Sequence, residues 1–124
     1  MSLQSLAVKV RDRLGVRTLR VVGDPTMKVT KVGLAPGAPG FVPQRRMLQR
    51  DDVEVLLMGE GTEWEPIEYG ADAVAEGRRK ALIVIGHIPS EQAGMDDCAR
   101  WLKTLVTEVP VQFVPTAEPF WSPK

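Results

Sequence analysis

Ala81-Leu-Ile-Val-Ile85 is an unbroken apolar run between Lys80 and Gly86. Successive side chains of a strand point to opposite faces, so a strand with no polar member has no face to offer water. Such a run belongs in the middle of a sheet that is covered on both sides, with strands flanking it and helices above and below. It is also the longest apolar run in the chain, far short of the roughly 20 residues that span a bilayer. The N-terminus lacks a signal-peptide pattern, and no membrane partner is expected.

The rest of the chain supplies the covering elements. Residues 2–14 carry Val8, Val10 and Leu14 on a helical period, and Gly15 stands where a helix C-terminal glycine belongs. Leu19–Val22 and Val29–Ala35 read as strands, joined through Gly23-Asp24-Pro25 as a hairpin. The loop Ala35-Pro-Gly-Ala-Pro-Gly40 precedes a short helix over Val42–Gln49 with Pro43 in its first turn. Val53–Met58 is the next strand, Glu65–Glu76 a helix closed by Gly77, and residues 90–107 a helix. Its apolar stripe of Met95, Cys98, Leu102 and Leu105 is expected to cover the sheet. Val109–Val114 reads as one more strand. Strands alternating with helices predict an α/β fold, a layered mixed sheet with helices packed on it, in one domain over residues 1–124.

Composition narrows the function classes. Sixteen Lys and Arg balance sixteen Asp and Glu, so no global field draws the chain to nucleic acid, and the clusters Arg45-Arg46-Arg50 and Arg78-Arg79-Lys80 read as solvated faces. Cys98 is the sole cysteine, which excludes an internal disulfide or a thiolate metal cluster within the chain and suits a reducing cytoplasm. On its helix stripe it reads as a buried small hydrophobe rather than a nucleophile. His87 is the sole histidine, so no mechanism can draw two imidazoles from this chain.

Gly86-His-Ile-Pro-Ser-Glu91 is the segment richest in chemistry. Its imidazole leaves the carboxyl end of the central strand, where open α/β sheets place ligand sites, and a carboxylate follows four residues later. If Pro89 or Ser90 opens the helix, His87 lies just outside it and Glu91 in its first turn, so both can converge on one point. Imidazole plus carboxylate suits Zn, Mn or Fe. The plain structural reading gives His87 a hydrogen bond at a strand end and Glu91 a contact with the helix dipole. Glu60 occupies the equivalent end of Val53–Met58, whereas Glu63, Glu65 and Glu68 are explained by the helix start that follows. The Gly33–Gly40 loop lacks the residues of a phosphate-binding loop and reads as a turn. Phe120 and Trp121 are costly to leave in water, so they are expected to pack back on the domain or enter a partner subunit.

At Met58-Gly-Glu60, at Gly86-His87 with Glu91, and at the closing Pro119-Phe-Trp121, the chain resembles the second half of the Nif-three-like dinuclear metal-centre proteins, also known as GTP cyclohydrolase I type 2 homologs. The similarity runs from about Leu19 to the C-terminus and includes Val21-Val-Gly-Asp-Pro25. The resemblance implies a two-metal site in a hexameric homo-oligomer, with His87 and Glu91 as metal ligands and Glu60 in a supporting place beside them. The family's further histidine and aspartate donors lie in its first half and have no counterpart here, so the ligand set in this chain is incomplete. It implies the C-terminal half of a metal-dependent hydrolase acting on a nucleotide or other small molecule, inactive by itself. The rival expectation is a non-enzymatic interaction module without metal. A third, nucleotide binding through the Gly33–Gly40 loop, ranks last.

Overall fold

A computed structural model describes residues 1–121 and 123. Helix α1 (Leu3–Leu14) is followed by strands β1 (Arg20–Val22) and β2 (Val32–Ala35), helix α2 (Phe41–Leu48) and strand β3 (Val55–Met58). A π-helical turn (Glu63–Ile67) leads into α3 (Glu68–Ala75), then β4 (Ala81–Val84) and α4 (His87–Leu102). The four strands form one mixed sheet in the order β1-β4-β3-β2, with helices packed on it. No helix among the described residues is long and apolar enough to cross a membrane.

The apolar run sits where its pattern requires. β4 is buried at all four positions, antiparallel to β1 and parallel to β3, which is in turn parallel to β2. One face of the sheet presents Val55, Ala81 and Ile83 to Leu3 and Ala7 of α1. The other presents Leu56, Met58, Leu82 and Val84 to Leu48 of α2, with Ile67 and Tyr69 alongside. Gly70 lets α3 lie against β4, since a methyl group there would come within 2.6 Å of Leu82 Cδ1.

The ends of α1 follow the sequence signals. Ser2 Oγ accepts the Ser5 amide at 3.1 Å, and Gly15 closes the helix in the left-handed region at φ +63°.

Three expectations give way. β1 and β2 are not a hairpin but occupy opposite edges of the sheet. The chain between them is used elsewhere: the Met27 and Pro25 carbonyls accept the amides of Leu3 and Gln4, the first donors of α1 that the helix itself leaves unsatisfied. Val109–Val114 forms no strand. Pro110 lies within it and Pro115 follows it, and each lacks an N–H for a ladder. The helix expected over 90–107 begins at His87 and ends at Leu102, and its Met95–Leu105 stripe does not cover the sheet. Met95 and Leu105 are exposed, and the buried residue of α4 is Ala99.

The expected helix over Glu65–Glu76 opens instead as a π-helical turn. Pro66 lies inside that turn and has no N–H for a regular ladder.

Candidate functional site

The three parallel strands run the same way, so β2, β3 and β4 deliver Gly37, Glu60 and His87 to one end of the sheet. Backbone hydrogen bonds continue past the last strand residues and fix these exits. Gly59 N–H donates to the Ala35 carbonyl at 3.0 Å, Glu60 N–H to the Gly37 carbonyl at 3.0 Å, and Gly86 N–H to the Gly59 carbonyl at 2.8 Å. The approach requires glycine at position 59: a Cβ there would lie 2.6 Å from Gly37 N and from Ser90 Oγ.

Gly86, at φ +92°, caps α4 and turns the chain so that His87 is the first residue of the helix rather than a residue just outside it. Glu91 lies one turn further on the same face. His87 Nε2 stands 3.0 Å from Glu91 Oε2, and His87 Nδ1 stands 3.6 Å from Glu60 Oε2. The three side chains are between 45% and 56% exposed, so none is sealed in hydrocarbon and all are open to a ligand.

This geometry can be tested against a cation. Imidazole and carboxylate donors bind a transition metal at about 2.0–2.2 Å, and two such donors at right angles are then about 3 Å apart. The Nε2 to Oε2 separation is that of a direct imidazole–carboxylate pair and is also close to the spacing of two donors at right angles on one ion. Glu60 does not share that point, because it addresses the opposite ring nitrogen, the place from which a carboxylate orients a ligating imidazole. Among the described residues, no group of three or more His, Cys, Asp or Glu side chains is arranged to hold a metal by itself.

Two supporting residues were not legible as site residues in the sequence. Gln44 is 1% exposed and donates from Nε2 to the Glu60 carbonyl at 2.7 Å, while its Oε1 has no partner. Its signal was an amide one helical turn before the buried Leu48, on the face of α2 that meets the sheet. Ser90 Oγ accepts the Gly37 amide at 2.8 Å and donates to the His87 carbonyl at 2.6 Å, joining the loop after β2 to the first turn of α4. That bond also occupies an amide that a phosphate would need in the Gly33–Gly40 loop.

The other candidates touch none of the side chains of Glu60, His87 and Glu91. Cys98 is half-buried on α4 outside the core. Phe120 and Trp121, 67% and 72% exposed, do not pack back on the domain. Lys80 Nζ is taken up by the Arg50 and Val53 carbonyls, and Arg79 by Glu54 and the Lys28 carbonyl.

A family model described as Duf34/NIF3 (NGG1p interacting factor 3) matches residues 1–119. Among solved structures, Staphylococcus aureus hypothetical protein SA1388 superposes with a TM-score of 0.69 at 18% identity, covering 98% of this chain and 39% of that one. A second structure of S. aureus SA1388 gives 0.63 at 17% identity, covering 92% and 39%. A Bacillus cereus protein related to NIF3 gives 0.69 at 20% identity, covering 97% and 32%. At these identities the likeness is one of fold, and the chain spans less than two-fifths of the length of each structure. No curated protein matches it.

Proposed function

The chain belongs to the Duf34/NIF3 family, and from that premise we propose that it forms part of a metal-dependent hydrolase of the GTP cyclohydrolase I type 2 kind. In this reading His87 and Glu91 hold a divalent cation, Zn, Mn or Fe, at the carboxyl end of the parallel strands. The observation that carries it is the 3.0 Å separation of His87 Nε2 and Glu91 Oε2, which suits two neighbouring donors on one ion.

Each side chain has a part. The Glu60 charge, 3.6 Å from Nδ1, favours the ring proton on that nitrogen and leaves Nε2 for the cation, Glu91 adds negative charge, and Ser90 and Gln44 hold the loops that aim them. A divalent cation, when bound, acidifies water and polarises a substrate oxygen. Two donors do not close such a site, so the remaining ligands come from other residues of a longer protein or of another subunit. Exposed Trp101, Phe120 and Trp121 support a homo-oligomer, here taken as hexameric, and a single unpaired thiol suits the cytoplasm. The substrate is a nucleotide or another small molecule.

Metal retention tests this reading. The protein is equilibrated with Mn or Zn, freed of excess ion and assayed for bound metal. His87→Ala and Glu91→Ala should each lower retention by about tenfold or more, and retention unchanged in His87→Ala overturns the proposal. The same exposed aromatic side chains favour a second reading, an interaction module without metal. That reading expects His87→Ala to leave partner binding intact and Trp121→Ala to weaken it.

A further inference from the structure

After α4 the described chain has no regular secondary structure and returns beside that helix, with which it lines a groove. Val111, Phe113, Val114 and Thr116 line one groove, of about 430 Å³, together with His87, Glu91, Met95, Cys98 and Leu102. Phe113, Ile88 and Gln92 border this groove and also a second crevice, so the returning segment meets α4 at Phe113. Helical or strand pairing does not hold that segment in place, because Pro110 and Pro115 interrupt it.

What holds it is Glu118. Its side chain is only 10% exposed, and its carboxylate accepts the Arg17 amide at 2.9 Å, the Thr18 amide at 3.3 Å and the Thr18 hydroxyl. The Arg17 guanidinium donates to the Glu118 carbonyl and lies 3.9 Å from the carboxylate. Arg13 and Asp96 border the same crevice. A nearly buried carboxylate with this many donors, a hundred residues away in sequence, is more than a surface ion pair, which contributes little. Neither fold nor proposed chemistry otherwise needs it.

We propose that residues 109–118 are a latched strap: Glu118, held by Arg17 and Thr18, keeps the strap over the Met95–Cys98–Leu102 side of α4, and its release opens the groove. Thr116, His87 and Glu91 line the same groove, so opening also widens the approach to that pair. This last consequence rests on the metal reading; the latch itself does not.

Cys98 reports on the groove, as the only thiol and part of its wall. Its rate of alkylation by N-ethylmaleimide is measured beside amide hydrogen exchange in β3 and β4. Glu118→Ala should accelerate alkylation by about tenfold with core protection unchanged, and Thr18→Val, which removes one donor, by about threefold. Wild-type rates in both variants overturn the proposal. So does an acceleration matched by an equal loss of protection in the core strands, because that is global unfolding. Metal retention plays no part in this readout, so failure of the latch is told apart from failure of the metal reading.

Discussion

The Gly37 amide donates to Ser90 Oγ at 2.8 Å across 53 residues of chain. This one bond makes the loop after β2 and the first turn of α4 a single unit. Gly37 adopts φ +64°, and a side chain there would run into the Glu91 carboxylate. The loop that precedes α2 therefore shapes the space in which His87 and Glu91 meet.

Removing the hydroxyl separates these elements. Ser90→Ala leaves the Gly37 amide without its acceptor, and urea denaturation should show a loss of about 1–2 kcal/mol. Metal retention should fall as well, because the first turn of α4 is no longer held against the loop.

Gly59→Ala attacks the same junction from β3. The new methyl group would meet the Gly37 backbone and Ser90 Oγ, and backbone cannot swing aside as a flexible side chain can. Overpacking of this kind costs about 1–3 kcal/mol, to be read as a lowered urea midpoint. Gly94→Ala, a site with open space around it, is the control and should leave the midpoint unchanged or slightly raised.

Gln44 links the core to the site. Gln44→Ala removes a nearly buried amide and leaves the Glu60 carbonyl without that donor, a loss of about 1–3 kcal/mol by chemical denaturation. The His87 imidazole should also lose order, seen as a change in the line widths of its ring NMR signals. Gln44→Glu should be worse than Gln44→Ala, because an ionised carboxylate has no donor for that carbonyl.

Acid should weaken the strap. Burial by itself raises the Glu118 carboxyl, but the bonds from the Thr18 hydroxyl and the Arg17 and Thr18 amides, with the Arg17 charge, leave it below its ordinary 4.5. A carboxyl lowered in the folded state contributes stability that is fully present above its unfolded value and is lost as pH falls through the folded one. The stability difference between wild type and Glu118→Ala should thus be constant above about pH 5 and shrink below 4.5. Thermal melts from pH 7 to pH 3 measure it.

Much of the fold could be read from local pattern. The apolar Ala81–Ile85 run demanded a central strand, Gly15 and Gly77 ended their helices, and the loop from Ala35 to Gly40 opened a helix. The reading failed where tertiary partners decide. Val29–Ala35 looked like the mate of Leu19–Val22, but the chain between them is drawn to the amides that begin α1. The α4 stripe looked like a core face because its period is helical, yet periodicity does not say whether sheet or returning chain lies opposite. At the site, residue type and place at a strand end pointed to His87, Glu91 and Glu60. Gln44, Ser90 and Glu118 were hidden because their partners are distant in sequence.

Ala35, Met58 and Val84, the last residues of the three parallel strands, are all buried, whereas Glu60, His87 and Glu91 stand beyond them in water. Scaffold and chemistry therefore occupy separate territory. Exchanging one polar group for another at this rim leaves the hydrocarbon packing of the three strands untouched, so replacing Glu60, His87 or Glu91 by a side chain of similar size should hardly move the melting temperature.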